Sequence, residues 1–337
     1  MSIKLFVSAV LTTTAILATM SYLKSSASPH QSSLDKFSQF KKDFKKSYAS
    51  PQENAYRFNV FQDNLAIIAG HKNPSYTLGI NKFADLTFVE FSNQYLMKNF
   101  ETVKLTGQNK CSAATTPEPQ ALDSVDWANS GKVQRVKNQA QCGSCWAFST
   151  VGSIESAYAI SGKPMPDLSE QELVDCAGGD YGNMGCNGGL MPWAFTYILD
   201  NGVHSETKYP YKGVDGTCST KSLDKPAYGI SSCKMIGANT DSLTKALETQ
   251  PVSVAFYVNT SFQMYTGGVY NPWFCLGQPN HAVLAVGFDT TASTPFYKVK
   301  NSWGSSWGEK GYFRIAIKTG EGTCHIAGSG MSSVPVL

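Results

Sequence analysis

The sequence predicts an α+β protein, with a helix-rich half followed by a strand-rich half and a separate helical module ahead of both. Three observations carry this. Apolar side chains recur at helical spacing between residues 145 and 202. From Val252 onward the runs VSVAFYV, HAVLAVGF, FYKVKNSW and YFRIAI are β-rich and parted by Gly, Asn and Pro. The first hundred residues are polar and helical in pattern. A helical half beside a sheet half suggests two lobes with a cleft between them.

Composition bounds the function. The chain has 337 residues, 42% hydrophobic and 16% charged, as globular proteins are. A formal net charge of +3 is too small to argue for nucleic acid or an anionic membrane as partner. After Lys4, the apolar run Leu5 to Met20 and the small residues Ser25-Ser26-Ala27-Ser28 describe a cleaved secretory signal, taken as 1–27. A membrane anchor is the alternative, but the run is shorter and richer in Thr than a spanning helix requires, and no other stretch could span a bilayer. Secretory entry permits disulfides, and nine cysteines imply bridges plus a leftover thiol.

In chain order, Phe37, Phe40, Phe44 and Tyr48 recur at helical spacing. Ser50-Pro51-Gln52-Glu53 supplies an N-cap, a proline at the first helical position and a capping-box Glu. Glu53, Arg57, Phe61, Asn64 and Ile68 then share one helix face. Residues 101–120 read as an exposed linker. The next helix covers Cys145 to Ile160, with Phe148, Val151, Ile154 and Tyr158 in step and Gly162 ending it. Ser169 to Glu172 is a second capping box, and Met191 to Leu199 is a helix closed by Asn201-Gly202. His30, His71 and His204 read as solvated, and Trp307 and Gly308 as packing residues.

The stretch QCGSCWAF carries the chemistry. Cys142 and Cys145 could form a redox dithiol, contribute half of a zinc site, or pair a structural thiol with a reactive one. A helix N-terminus carries about half a positive charge, which stabilises a thiolate at Cys145. A nucleophilic thiol also needs a base and an orienting group. His281 and Asn301 are available 136 and 156 residues later, though spacing alone says nothing about contact. The zinc reading lacks a second Cys/His pair nearby, and the redox reading lacks a strand before the motif.

The segments VKNQAQCGSCWAFS, NHAVLAVGF and KNSWGSSWG resemble the cysteine, histidine and asparagine segments of papain-like cysteine proteases. DLSEQELVDC and CNGGLM look like the same family, the latter like its cathepsin L branch. The resemblance covers essentially everything after the signal. It implies a two-lobe fold, a helical lobe and a β-barrel-like lobe around an active-site cleft, preceded by a helical propeptide. It implies Cys145 as nucleophile, His281 as base and then acid, Asn301 as orienter of the imidazole, and Trp303 as shield of that bond. Gln139 would join the Cys145 N–H as oxyanion donor. An isolated thiol of pKa about 8.5 is only about 0.03% ionised near pH 5. In papain, pairing with a histidinium lowers it to about 3–4, about 6–7 kcal/mol in favour of the ion pair.

The family pattern pairs Cys142 with Cys186, Cys176 with Cys218, and Cys275 with Cys324, leaving Cys145 free. Cys111 and Cys233 have no family role. Cys233 reads as a packed thiol, with a Cys111–Cys233 bridge confined to the precursor as the alternative. Gly188 and Gly189 would admit the substrate backbone. Leu190, Met191, Ala255, Ala282 and Ser329 would line the pocket for the second residue before the scissile bond. They carry no carboxylate, which implies a bulky apolar preference. His325 stands where relatives usually have Gly, near that pocket. No insertion resembling an occluding loop is present, which implies endopeptidase activity.

Glu53, Arg57, Phe61, Asn64 and Ile68 match most of the ERFNIN pattern of I29-type inhibitor propeptides, with Lys72 departing from its last Asn. Gly79, Asn81, Phe83 and Asp85 fit their second motif. The implied propeptide lies through the cleft in the non-productive direction, and acid loosens it by protonating carboxylates such as Asp85. Processing is expected near residues 112–121. The expected domains are an inhibitory propeptide with linker over 28–117 (inhibitor part 34–95) and a peptidase over 118–337. Expected partners are protein and peptide substrates, the chain's own propeptide and cystatin-type inhibitors, with a monomeric state and no cofactor or metal. The expected location is a lysosome, an acidic vacuole or the exterior. Asn259-Thr260-Ser261 is a glycosylation sequon. The rivals are a thiol oxidoreductase and an inactive homologue acting as a binding module.

Overall fold

A computed structural model of the chain describes residues 29–98, 108–113 and 122–337. The expected signal segment, most of the linker and the expected processing stretch beyond Ala113 lie outside them. The chain forms two compact units, Met1–Gln62 and Asp63–Leu337. Among the described residues no helix is long and apolar enough to cross a membrane.

The first unit contains helix α1 (Pro29–Asp43) and most of helix α2 (Pro51–Gly70). It is built on aromatic rings: Phe37 lies 5.3 Å from both Phe58 and Phe61, and Phe40 lies 5.1 Å from Phe61. Helix α1 stops before Phe44. Tyr48 nevertheless stacks on Phe37 from the connecting turn, so the aromatic spacing outlasts the helix. At the start of α2 the Glu53 N–H donates to Ser50 Oγ, as a capping box requires. The return bond to the Glu53 carboxylate comes from Ala49, one residue earlier than expected. Arg57 lies 3.9 Å from Glu53 one turn on.

The second unit holds one sheet. Its strands are β1 (Tyr76–Leu78), β2 (Ser112–Ala113), β3 (Ser124–Asp126), β4 (Ser232–Met235), β5 (Val252–Phe256), β6 (Tyr265–Tyr270), β7 (His281–Asp289), β8 (Phe296–Lys300), β9 (Tyr312–Ala316) and β10 (Ser333–Val336). The order is β1-β6-β9-β8-β7-β5-β10-β4-β2, with β3 added on β7. This path is open at β1 and β2, where the sequence reading expected a barrel-like lobe. Its short members escape sequence reading because they are two to four residues long or, like YTGGVY, interrupted by glycine.

Helices α3 (Phe88–Tyr95), α4 (Cys145–Ile160), α5 (Glu170–Cys176), α6 (Met191–Asn201), α7 (Thr240–Leu247) and α8 (Thr260–Gln263) complete the unit. Two cores result. One gathers α4, α5 and α6 around Trp146, Ile154, Leu173 and Phe195. The other fills the sheet side with Phe256, Phe262, Tyr265, Trp307 and Phe313. Helix α4 is buried on nearly every side, more than its apolar spacing suggests. Its hydroxyls make this possible. Thr150 and Ser156 donate to carbonyls one turn back, and Ser149 donates to Val283 O of β7 at 2.8 Å. Lys163 N–H closes the helix on Tyr158 O, with Gly162 at a left-handed φ of 80°.

Residues 63–98 belong to this unit and are woven into it. Asn64 donates to Ala84 O and Leu86 O, β1 pairs with β6, and Asn81 donates to Gln263 O at 2.8 Å. Gln263 answers through Phe83 O and Leu86 O. Phe83 and Phe91 are fully buried in the sheet-side core, and Asp85 is buried. Residues 108–113, read as exposed linker, are anchored instead. Strand β2 runs parallel to β4, Lys110 pairs with Asp200 at 2.6 Å, and Cys111 is bonded to Cys233. Cys233 is thus bridged, not a packed thiol. The other bridges are Cys142–Cys186, Cys176–Cys218 and Cys275–Cys324, and Cys145 is free.

Non-reducing peptide mapping of the precursor is expected to yield a peptide pair joining Cys111 to Cys233; both thiols free would contradict this arrangement. Replacing both by Ser is expected to cost about 2–4 kcal/mol in denaturant unfolding of the precursor.

Candidate active site

Cys145 is the first residue of α4 and is fully buried. Its Sγ accepts from Ala282 N–H of β7 at 3.4 Å. The loop that delivers it is fixed from below. Cys142 is bonded to Cys186, and Gly143 N–H donates to Cys186 O at 2.9 Å. A Cβ on Gly143 would stand 2.5 Å from Cys186 O and 2.9 Å from Leu96 O, so only glycine fits.

His281 opens β7, directly before the amide that touches the thiol. Its Nε2 lies 2.8 Å from Asn301 Oδ1, in the turn after β8. That amide atom also accepts from Ser302 N–H at 2.8 Å, which identifies it as the oxygen. Nε2 must therefore carry a hydrogen, leaving Nδ1 as the lone-pair nitrogen of a neutral ring. Trp303 stacks on the imidazole at 4.5 Å and 25°, and Phe83 and Phe91 meet the indole edge-on from residues 63–98. Both His281 and Asn301 are buried.

Gln139 is held by a mutual lock with Ser302: its N–H donates to Ser302 O, and its Oε1 accepts from Ser302 Oγ at 2.6 Å. Its Nε2 donates to Cys142 O and to Tyr95 O at 2.9 Å. The backbone after Tyr95 continues along the site. Met97 N–H donates to Asn280 O, and Lys98 N–H donates to Asn187 O. Gly188 faces Met97, where a Cβ would lie 3.2 Å from the Met97 Cβ, and Gly189 packs on Trp146, which a Cβ would approach to 2.6 Å. Leu190, Met191, Ala255 and Ala282 are buried in one cluster with Cys145 and Met97. Ser329 is buried, accepting from Met331 N–H, and Met331 packs on that cluster.

Burial governs the electrostatics. It pushes the Cys145 thiol up to about 12, against lowering by the N–H groups of Ala282, Trp146 and Cys145 itself. It pulls His281 down to about 4, with the Asn301 bond opposing. Removing water disfavours both charged forms, so the covered site favours a neutral thiol and a neutral imidazole.

Other expectations fare variously. His204, read as solvated, is buried. Its N–H and Nδ1 meet Glu172 Oε2, each at 2.8 Å, and Nε2 meets Asp224 O. Glu172 therefore serves His204 as well as sitting in the Ser169 cap, whose Oγ accepts from its N–H. His71 is half-buried, its Nε2 2.9 Å from Tyr76 O. His325 adopts a left-handed φ of 64°, as a glycine would, and meets Glu321 at 2.6 Å. Trp307 packs on Trp303 and Phe313. Asn259 is half-buried and caps α8, its Oδ1 accepting from Phe262 N–H and Tyr270 OH. Sequence reasoning missed Asn187, Asn280 and Ser302. All three adjoin singled-out residues, but two act through backbone carbonyls, which no side-chain pattern reveals.

A family profile described as "Papain family cysteine protease" matches residues 121–334, and one described as "Cathepsin propeptide inhibitor domain (I29)" matches residues 37–91. The chain is 42% identical over 302 residues to "Cysteine proteinase 2" of Zea mays, covering 87% of this chain and 82% of that protein. It is 41% identical over 300 residues to "Thiol protease aleurain" of Arabidopsis thaliana, covering 86% and 81%. The solved structure of digestive procathepsin L 3 from Tenebrio molitor larval midgut superposes with a TM-score of 0.80 at 35% identity, covering 90% of this chain and 99% of that one. With the fold and the segments around Cys145, His281 and Asn301, these matches show that the chain belongs to the papain family of cysteine proteases and carries an I29-type inhibitor propeptide.

Proposed function

We propose that Cys145, His281, Asn301 and Gln139 carry out peptide-bond hydrolysis. The observation that carries this is the 2.8 Å contact between His281 Nε2 and Asn301 Oδ1, which keeps the hydrogen on Nε2 and leaves the buried Nδ1 with a free lone pair to act as base. His281 Nδ1 takes the Cys145 proton. The thiolate attacks the substrate carbonyl, and the oxyanion that forms accepts from Gln139 Nε2 and Cys145 N–H. The imidazolium returns its proton to the leaving amine. Water, deprotonated by His281, hydrolyses the thioester.

Residues 63–98 act in this reading as the inhibitor. The Tyr95 carbonyl takes the Gln139 donor, and the backbone at Met97 and Lys98 takes Asn280 O and Asn187 O. These are backbone positions a substrate would need, used here by a segment running in the non-productive direction. Uncovering the site returns water to the thiol and imidazole and permits their ion pair. The boundary between inhibitor and peptidase is assigned to residues 117–118, with processing near 112–121. The uncharged lining of Leu190, Met191, Ala255, Ala282 and Ser329 supports preference for a bulky apolar residue two before the cut. Cystatin-type inhibitors fit the same cleft. An acidic compartment of the secretory pathway or the exterior suits the acid-released inhibitor, and a monomer suffices for every role.

The acid-processed enzyme is expected to lose essentially all thiol-inhibitor-sensitive activity on Cys145→Ala, and about 10²–10³ in kcat on Gln139→Ala. In a peptide library, Arg in the second position before the cut should be poorly accepted; cleavage equal to that of Leu or Phe peptides would refute the pocket assignment. Because burial raises the thiol pKa, iodoacetamide should modify Cys145 slowly in intact precursor at pH 7 and quickly after processing; mass spectrometry of timed samples distinguishes the two. Precursor that stays intact and equally inhibited from pH 7 to pH 4 would argue against acid release.

A further inference from the structure

Asn301 borders a second feature that the proposed mechanism does not use. A small cavity of about 20 Å³ is lined by Lys137, Glu155, Glu170, Ala282, Lys300 and Asn301, among others. Four of these are charged, and all four are buried: Lys137 is 7% exposed, Glu155 0%, Glu170 1% and Lys300 8%. They come from four places, the loop before α4, α4 itself, the first residue of α5 and the last residue of β8.

Lys137 Nζ gathers one side of the group. It donates to Glu155 Oε1 at 3.0 Å, Glu170 Oε1 at 2.8 Å and Leu168 O at 3.0 Å, and Leu168 N–H adds a second donor to Glu155 Oε1. The outer oxygens are left over: Glu155 Oε2 and Glu170 Oε2 are buried without a hydrogen-bond partner, and so is Asn301 Nδ2. The two glutamates are engaged with Lys137, and Lys300 lines the same cavity without an ion pair to either. Buried polar atoms left this way are costly unless something completes their hydrogen bonding. A cavity needs about 10–15 Å³ and two to four polar partners to hold a water molecule.

We propose that this cavity binds one internal water molecule, which accepts from Lys300 Nζ and Asn301 Nδ2 and donates to Glu155 Oε2 and Glu170 Oε2, and that Lys300 is thereby a positioning residue for Asn301. Two donors and two acceptors match the tetrahedral bonding of water. The water reinforces from the other side the amide orientation that Ser302 N–H already favours. With Nδ2 held on the cavity side, Oδ1 must face Ser302 N–H and His281 Nε2, and the imidazole keeps its hydrogen on Nε2. Burial pulls the Lys300 ammonium down to about 8, with Glu155 opposing and Lys137 adding to the fall. Burial likewise pushes the Glu170 carboxyl up, with Lys137 opposing. Asp167, Arg135 and Glu206 complete the charged surroundings: Asp167 lies 2.8 Å from Lys137 and 2.9 Å from Arg135, and Glu206 accepts from Tyr211 N–H.

This inference rests on Asn301 as orienter of His281, and two independent readouts separate the two ideas. The first needs no activity. A high-resolution crystal structure of the precursor should show one ordered water within about 2.7–3.2 Å of the four named atoms; a dry cavity, or Asn301 Nδ2 bonded to protein, overturns the proposal while leaving the Cys145 assignment standing. The second uses processed enzyme. Lys300→Met should lower kcat about tenfold with KM changed less than twofold, and displace the acid limb of kcat/KM. Lys300→Gln, which keeps a donor, should recover most of the loss. A Met variant with a lower Tm but unchanged kcat and pH profile would mean that Lys300 only packs, and overturns the positioning role. If Lys300→Met does not fold, Glu155→Gln is read by the same pH profile, with the same outcomes deciding. Activity that survives Cys145→Ala would instead defeat the catalytic reading.

Discussion

The close approach of helix α4 to strand β7 is the constraint on which the rest depends. The thiol stands at the head of one and the imidazole at the head of the other, and neither element alone makes a site. Small residues allow the approach. Gly152 leaves room for Leu284, where even a Cβ would come within 3.1 Å. Ser149 donates to Val283 O and accepts through its own carbonyl from Ser253, joining the helix to two adjacent strands. A larger side chain at either position would push the helix outward and separate Cys145 from Ala282 N–H. The site is thus set by packing along the whole helix, and its chemistry is concentrated at one end.

The inhibitor segment uses the same materials as the fold it covers. It lengthens the sheet through β1, fills the sheet-side core with Phe83 and Phe91, and only then meets the site through backbone hydrogen bonds at Tyr95, Met97 and Lys98. Its hold is spread over strand pairing, buried rings and amide side chains, and the atoms next to the thiol need contribute little specificity. Trp303 is the shared piece: one face covers the imidazole, and Phe83 and Phe91 meet it edge-on. Removing the segment would therefore change the surroundings of the His281 imidazole as well.

Much of this was legible in sequence, and the limits have physical causes. The bounds of α4 followed from apolar spacing and Gly162, and the long strands from their continuous apolar runs. Strands β2, β3 and β4 were invisible because two to four residues carry no period. Residues 108–113 read as linker because nothing local marks a strand whose partner lies more than a hundred residues away. His204 was misread for the same reason, its carboxylate partner being 32 residues distant. Cys145, His281 and Asn301 were singled out by resemblance, since spacing cannot report contact. The pairing of Cys111 with Cys233, held in sequence only as the alternative to a packed Cys233 thiol, is likewise a property of the folded chain.

That last bridge has a consequence for the life of the molecule. A peptide bond cut between Ala113 and the peptidase would break the chain without detaching anything, because Cys111 remains bonded to Cys233 and β2 remains paired with β4. Severing and parting then become different reactions, one hydrolytic and one reductive. In an oxidising compartment the released segment could leave only if a second cut fell upstream of Cys111. The finished enzyme would then consist of two polypeptides, the smaller a stub stitched to the larger by sulfur.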